Sequence, residues 1–333
     1  MIESMGRRID ALRLDLRGLN VVTEAATGSY ACTAVLAALA GARVDATARA
    51  TRHGTFEDAA RATLDLARAA GVADRITIGR RIAPETLAAC DILTNSGHLR
   101  PITAATISLL PARAVIALMF EAWEFRATDL DLEACRARAI PVAAVNERHP
   151  DVGVFPFLGP LLAAMLRDAG LALSGARVAL VCDNPFRPFL ERGLIEAGAR
   201  PRTVDRIDRV AGPPDAEAPD AVVVALDPAR SPPLDETALR RLAAPAPGAL
   251  LAQFWGDIDR EAARRAWPGP VWPPAAPAPG HMAVLLSDLG HEPMVRLQAG
   301  GLRAAELVRC GAALPADGIA ELLCAPPRSP AIA

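Results

Sequence analysis

Lysine is absent from this chain, and all 36 of its basic residues are arginine. A pyridoxal-phosphate aldimine, a Schiff-base aldolase and a P-loop phosphate site each need an ε-amine, so those chemistries are excluded. A GC-rich coding sequence accounts equally well for the absence and for the excess of Ala, Arg and Pro, so it excludes chemistry without indicating any. Paired cysteines are missing too. Cys32, Cys90, Cys135, Cys182, Cys310 and Cys324 include no Cys-x-x-Cys pair and no His at zinc spacing, so no metal site or disulfide framework is expected and a reducing cytoplasm is. Charge of one sign is lacking, with 36 basic residues against 38 acidic, which leaves no electrostatic footprint for nucleic acid or anionic lipid. No run approaches the roughly 18 apolar residues of a membrane span, and the opening MIESMGRRIDALRLDLRG has no signal-peptide core. The expected partner is therefore a small molecule, with neither nucleic acid nor membrane.

What is present is length and apolar content. With 333 residues, 52% of them hydrophobic, the chain can bury two sizeable cores. From Leu19 onward, short apolar runs alternate with alanine-rich helical stretches, the pattern of βαβ units on a parallel sheet. Strands are predicted at 19–25, 43–48, 75–78, 91–95, 114–119 and 141–145, with helices at 31–40, 56–70, 84–89 and 131–138. A long apolar helix at 155–173 precedes a second series, with strands at 176–182, 201–205, 220–226, 249–253 and 284–286 and helices at 187–197, 235–243, 257–266 and 301–309. Prolines at 211–219, 227–233 and 268–279 mark surface connections. The fold class that follows is α/β, with two Rossmann-like, doubly wound parallel-sheet domains flanking a cleft. The divisions are 1–150, a connecting helix and hinge at 151–175, a smaller domain at 176–314, and a tail at 315–333 that ends as a short helix.

Polar residues gather directly after the predicted strands: Thr94 to Arg100, Phe120 to Glu124, Asn146 to His149, Asp183 to Phe186 and Gln253 to Asp257. Open parallel sheets bind ligands outside the carboxyl ends of their strands, so these loops are the candidate site. The first strand runs into Thr27, Gly28 and Ser29, whose amides suit a phosphate at a helix start, although a three-glycine fingerprint is not seen. Arg49 and Arg52 follow the second strand, where a guanidinium would match the 2′-phosphate of NADP; a solvated arginine at a strand end reads equally well.

Asp131-Leu132-Glu133-Ala134-Cys135, Ala139-Ile140-Pro141-Val142, Arg177-Val178-Ala179-Leu180-Val181 and Asp205 resemble the hinge and nucleotide-binding half of the D-2-hydroxyacid dehydrogenases, loosely over residues 129–310. The resemblance implies NAD or NADP at Asp183, Asn184 and Asp205. The family's three glycines fall on Cys182, Asn184 and Arg187 here, and Phe254-Trp255-Gly256-Asp257 stands where its catalytic arginine follows a strand. Pro279-Gly280-His281 is the nearest match to its catalytic histidine.

His98 and His281 are the candidate proton donors, and His281 has Ser287, Asp288, His291 and Glu292 downstream. Asn95, Ser96 and Arg100 suit an acidic or carbonyl substrate, with Arg100 as carboxylate clamp; Asn95 and Ser96 equally suit a helix cap after Pro101. Glu121, Glu124, Glu147 and His149 suggest a cationic substrate or a divalent metal, but their spacing fixes no metal geometry, so no metal is assigned. Trp123 and Trp255 would either sandwich a planar ring or plug an interface. The leading reading is an NAD(P)-dependent oxidoreductase acting on a small carbonyl, hydroxy or amino acid, with Glu121 as a further catalytic candidate. A transferase using S-adenosylmethionine and a non-catalytic binding protein are the alternatives, and a homodimer is the prior from similar folds.

Overall fold

The computed structural model describes residues 1–211 and 217–324. Along the chain come α1 (Ile2–Leu12), β1 (Asn20–Glu24), α2 (Cys32–Leu39), β2 (Arg43–Thr47), α3 (Phe56–Ala69), β3 (Ile76–Gly79), α4 (Pro84–Ala88), β4 (Ile92–Thr94), α5 (Ala104–Leu109), β5 (Val115–Ala117), α6 (Leu132–Ala137) and β6 (Val142–Val145). There follow α7 (Leu158–Asp168), β7 (Arg177–Cys182), α8 (Arg187–Glu196), β8 (Arg200–Val204), β9 (Ala221–Ala225), α9 (Glu236–Ala243), β10 (Leu250–Trp255), α10 (Arg260–Ala266), β11 (Val271–Trp272), α11 (Glu292–Arg309) and β12 (Ala320–Cys324). Two compact units result: unit 1 takes Met1–Val154 and Gly290–Ala333, and unit 2 takes Phe155–Leu289.

Unit 1 holds a seven-stranded sheet in the order β12-β6-β5-β4-β1-β2-β3, parallel except for β12. Read from the other edge, its parallel part is 3-2-1-4-5-6, the doubly wound dinucleotide-binding order, with its reversal between β1 and β4. The buried, β-branched and alanine-rich strands Val21-Val22, Ile92-Leu93, Val115-Ile116 and Val142-Ala143 suit a sheet covered on both faces. Unit 2 carries a five-stranded parallel sheet, β11-β10-β9-β7-β8. Counted within the unit this is 2-1-3-4-5, the flavodoxin-like order, which reverses between β7 and β9.

Local sequence sets several boundaries. Thr55 and Asp58 form a reciprocal capping box at the start of α3, and Asp131, Asp235 and Asp259 cap α6, α9 and α10 by accepting backbone N–H groups. In unit 2, α7 and α8 cross at Gly159 and Gly193, where a Cβ on Gly193 would lie 2.2 Å from the Gly159 Cα. Only glycine permits that approach.

The carboxyl-terminal segment departs most from expectation. The helix expected at 301–309 begins at Glu292 and packs on β5, β6, α1 and α2 of unit 1 rather than continuing the second series. Its Gly300 and Gly301 make this possible: Cβ atoms there would meet Val152 at 2.8 Å and the Met119 sulfur at 2.7 Å. The expected strand at 284–286 gives way to a short 3-10 turn, Leu286–Leu289. The tail supplies β12, antiparallel to β6, in place of a helix; Ala-Glu-Leu-Leu-Cys finds in the β6 edge the partner that sequence periodicity alone does not reveal. Residues 325–333, the end of that predicted tail, lie outside the described residues, as do 212–216 of the first proline-rich connection. No helix among the described residues is long and apolar enough to cross a membrane.

Candidate functional site

The reversal between β1 and β4 in unit 1 gathers much of the predicted set. β1 ends at Glu24, and Ala25, Ala26 and Thr27 lead into the 3-10 turn Gly28–Ala31 and then α2. Gly28 has φ +61° and open space where a Cβ would stand, so backbone is exposed there. The spacing Ala26-x-Gly28-x-x-Ala31 keeps the middle glycine of the dinucleotide fingerprint and places alanine at the outer two positions. This frame is present in the sequence but is recognisable only once the strand order is known. Ser29 lies in the same turn, and the Thr27 hydroxyl donates to the His53 carbonyl at 3.2 Å, tying the β1 loop to the β2 loop.

From β4 come Asn95 and Ser96, both buried, then Gly97, His98 and Arg100. Thr23, Thr94 and Ser96 form a buried hydroxyl chain, with Oγ1–Oγ1 2.8 Å and Oγ1–Oγ 2.7 Å. The His98 backbone N–H donates to Glu24 Oε2 at 3.0 Å. The Arg49 backbone N–H donates to His98 Nδ1 at 3.2 Å, and the Arg49 Nη2 reaches the Gly97 and Arg100 carbonyls at 3.1 and 3.2 Å. A neutral His98 ring therefore carries its hydrogen on Nε2. Burial lowers the His98 pKa, with Arg49 adding to the effect, so the neutral form is favoured. Arg52 stands apart, exposed and donating to the His53 ring.

Arg100 is spent on its own protein. Its Nε and Nη2 donate to the Asn95 carbonyl at 3.0 and 2.6 Å, Nε also reaches Asn95 Oδ1, Nη1 lies 3.4 Å from Asp129, and the guanidinium stands 5.3 Å from the Phe120 ring centre. Arg126 shares Asp129 at 2.7 Å. Arg100 thus braces the β4 loop. Glu24 is the residue that sequence reasoning passed over: an acid ending a buried strand at the sheet's reversal. Its carboxyl is buried, and burial raises its pKa against the lowering effect of the His98 N–H, Arg100 and Arg49.

A second group follows β5 and β6. Glu121 is almost fully buried and saturated: its carboxylate accepts from Trp123 Nε1, from the Glu147 N–H at 3.0 Å and from Arg148 Nε at 3.1 Å. Glu147 is also buried, and desolvation, followed by Glu124 and Glu121, pushes its carboxyl well above the usual range. His149 accepts the Asp151 N–H and stays within its own turn. Among the described residues no group of three or more His, Cys, Asp or Glu is placed to hold a metal ion.

In unit 2 the reversal between β7 and β9 is filled by side chains. Asp183 accepts from the Asp227 N–H at 2.8 Å and from the Ser231 hydroxyl at 3.2 Å. Asn184 donates to the Ala225 carbonyl at 2.6 Å and accepts the Phe186 N–H. Asp205 pairs with Arg209 at 2.9 Å. Trp255 is buried, tilted against Phe186 at 5.2 Å and donating to the Gly280 carbonyl. His281 is exposed, with its Nδ1 3.0 Å from the Pro279 carbonyl; Asp288 is turned to the Leu285 N–H, and Glu292 to Ser4 and Arg296. Arg260, which sequence reasoning also missed, donates to Gln253 at 2.6 Å, and its Nε and Nη1 are buried without a hydrogen-bond partner among the described residues.

No protein-family model matches the sequence, and no curated relative matches it. Solved structures do. The fold is shared with dipicolinate synthase. The protein of that name from Bacillus halodurans superposes with a TM-score of 0.54 at 11% identity, covering 88% of this chain and 99% of that one. Its Bacillus subtilis counterpart gives 0.53 at 12%, covering 90% and 99%. NAD-dependent formate dehydrogenase from Staphylococcus aureus, in complex with NAD, gives 0.49 at 13%, covering 90% and 98%. At these identities the likeness is one of fold.

Proposed function

We propose that unit 1 binds NAD or NADP at the reversal between β1 and β4, and that the protein is an oxidoreductase of a small carbonyl, hydroxy or amino acid compound. The observation that carries this reading is the coincidence of the 3-2-1-4-5-6 strand order with Gly28 at the middle fingerprint position. That glycine is the one whose missing side chain lets a pyrophosphate approach the backbone, and nothing stands within 4 Å of where its Cβ would be. Alanine suffices at position 31, where the fingerprint needs only a small residue for close helix packing. When bound, the nicotinamide would supply the hydride chemistry. The chain would supply Thr27, Gly28 and Ser29 for the phosphates, and Arg49, after β2, for a 2′-phosphate.

Unit 2 supports the same choice from the other side, because Asp183 and Asn184 occupy its reversal with their own hydrogen bonds. The neutral His98, with Nε2–H, suits polarisation of a carbonyl oxygen rather than delivery of a full proton.

The test is thermal stability against NAD, NADP, S-adenosylmethionine, ATP and coenzyme A. A ligand held at 100 times its Kd stabilises the folded state by about 2.7 kcal/mol. A rise with NAD or NADP is expected; a rise only with S-adenosylmethionine would replace the oxidoreductase with a transferase, and no rise with any of them would replace it with a binding protein for another ligand.

A further inference from the structure

Among its described residues, unit 1 buries six carboxylic side chains: Glu24, Asp91, Glu121, Asp129, Glu147 and Glu306. Four are neutralised by arginine: Asp91 by Arg113 and Arg309, Glu121 by Arg148, Asp129 by Arg100 and Arg126, and Glu306 by Arg303. Glu24 and Glu147 have no ion pair among the described residues. Of these two, only Glu24 stands at the sheet reversal.

The surroundings of Glu24 are specific. One N–H, from His98, holds Oε2, and the loop residue above it is Gly97, whose Cβ would sit 3.5 Å from that oxygen. Arg49 and Arg100 act on it through space, but each gives its hydrogen bonds to loop carbonyls or Asn95. On α2, burial, with the charge of Glu24 adding to it, keeps the Cys32 thiol protonated, its pKa pushed up to about 12. Independently, the Asn95 Nδ2 is buried without an acceptor, although Asn95 Oδ1 and its carbonyl are fully used by Arg100. A buried amide donor left open is costly unless some acceptor completes it.

We propose that Glu24 is the proton-exchanging residue of the unit 1 crevice, passing a proton to and from a hydroxyl-bearing ligand whose oxygen is held by the Asn95 amide and His98 Nε2–H. This rests on the reading of unit 1 as the binding unit. In the acid form, the Glu24 O–H breaks and a ligand O–H forms, leaving a carboxylate that the His98 N–H, Arg49 and Arg100 stabilise. In the reverse direction, the ligand O–H breaks, Glu24 is reprotonated, and the negative charge on the ligand oxygen faces two donors. No change of oxidation state is involved. His98 cannot take this role without losing the Arg49 N–H from Nδ1.

Glu24→Gln keeps size and removes the proton; Glu24→Asp keeps the proton and withdraws it by one methylene. Infrared titration of the ligand-free protein reads Glu24 directly. The carboxylic-acid carbonyl absorption that persists above the ordinary glutamate range, to which Glu147 also contributes, should lose one component in Glu24→Gln and have that component displaced in Glu24→Asp; absorption unchanged in both variants overturns the proposal. Calorimetry of NADP alone, and of NADP with D-lactate, in buffers of different ionisation enthalpy reads the exchange. Because a protonated Glu24 must give its proton to solvent before it can take one from the ligand hydroxyl, the wild type should release about one proton to the buffer per ligand bound and Glu24→Gln none; equal release in both overturns the proposal. If neither NAD nor NADP binds the wild type, the dinucleotide reading fails by itself, and the infrared result decides Glu24.

Discussion

Glu147 is a buried carboxyl with like charges for neighbours. Desolvation raises its pKa first, Glu124 and Glu121 raise it further, and Arg148 opposes them. The folded state therefore holds this proton more tightly than the unfolded chain, so stability from this group is present at low pH and is lost as pH rises from about 4.5 through the folded value. Glu147→Gln should raise the thermal midpoint at pH 8 by a few degrees, corresponding to roughly 1 kcal/mol, and lose that advantage at pH 5. Scanning fluorimetry across pH checks it; an advantage that does not shrink toward pH 5 would refute the assignment. His98 runs the opposite way. Burial and then Arg49 depress its pKa, so its contribution is complete above the unfolded value of about 6.5 and declines as pH falls below it. His98→Gln should flatten the loss of midpoint between pH 7 and 5. At this scale the sequence was partly legible. Polar residues after strands marked Asn95, Ser96 and His98, because loops at strand ends are where side chains can converge. The sequence did not show that Arg100 is consumed by Asn95 and Asp129, since that depends on a neighbour 29 residues away. Nor did it separate Trp255, packed into an aromatic cluster, from a free ring platform.

Elements were read more reliably than partners. Each βα unit of the first half announces itself by apolar runs ending in turn residues, and those strands are seen within a few residues of their predicted positions. The 3-2-1-4-5-6 order could not be read, because which strand lies beside which is a non-local choice. The Ala26-x-Gly28-x-x-Ala31 frame gains meaning only from that order. Helix α11 shows the same limit, since Gly300 and Gly301 look like weak points in a helix until Met119 and Val152 are seen against them. Contact between α7 and α8 gives a direct test. Gly193→Ala forces a methyl to within 2.2 Å of the Gly159 Cα, so the helices must separate. A loss of about 1 to 3 kcal/mol in chemical denaturation is expected, and a neutral substitution would mean that the two helices are not held at this distance in solution.

At the scale of the whole chain, unit 1 is built from two segments that flank unit 2 in the sequence. Deleting 290–333 removes α11 from β5 and β6 and exposes the β6 edge that β12 covers. Hydrogen exchange should then show β1, β4 and β5 losing protection while β7, β9 and β10 keep theirs; equal loss in both sheets would show that they unfold as one. The same arrangement has a consequence for biosynthesis. On the ribosome, every residue of unit 2 emerges before α11 and β12 do, so the middle of the chain can reach its native sheet while the first six strands wait with an open edge and an uncovered face. The crevice at Glu24 and Gly28 therefore belongs to a unit that cannot be completed until all of unit 2 has been made.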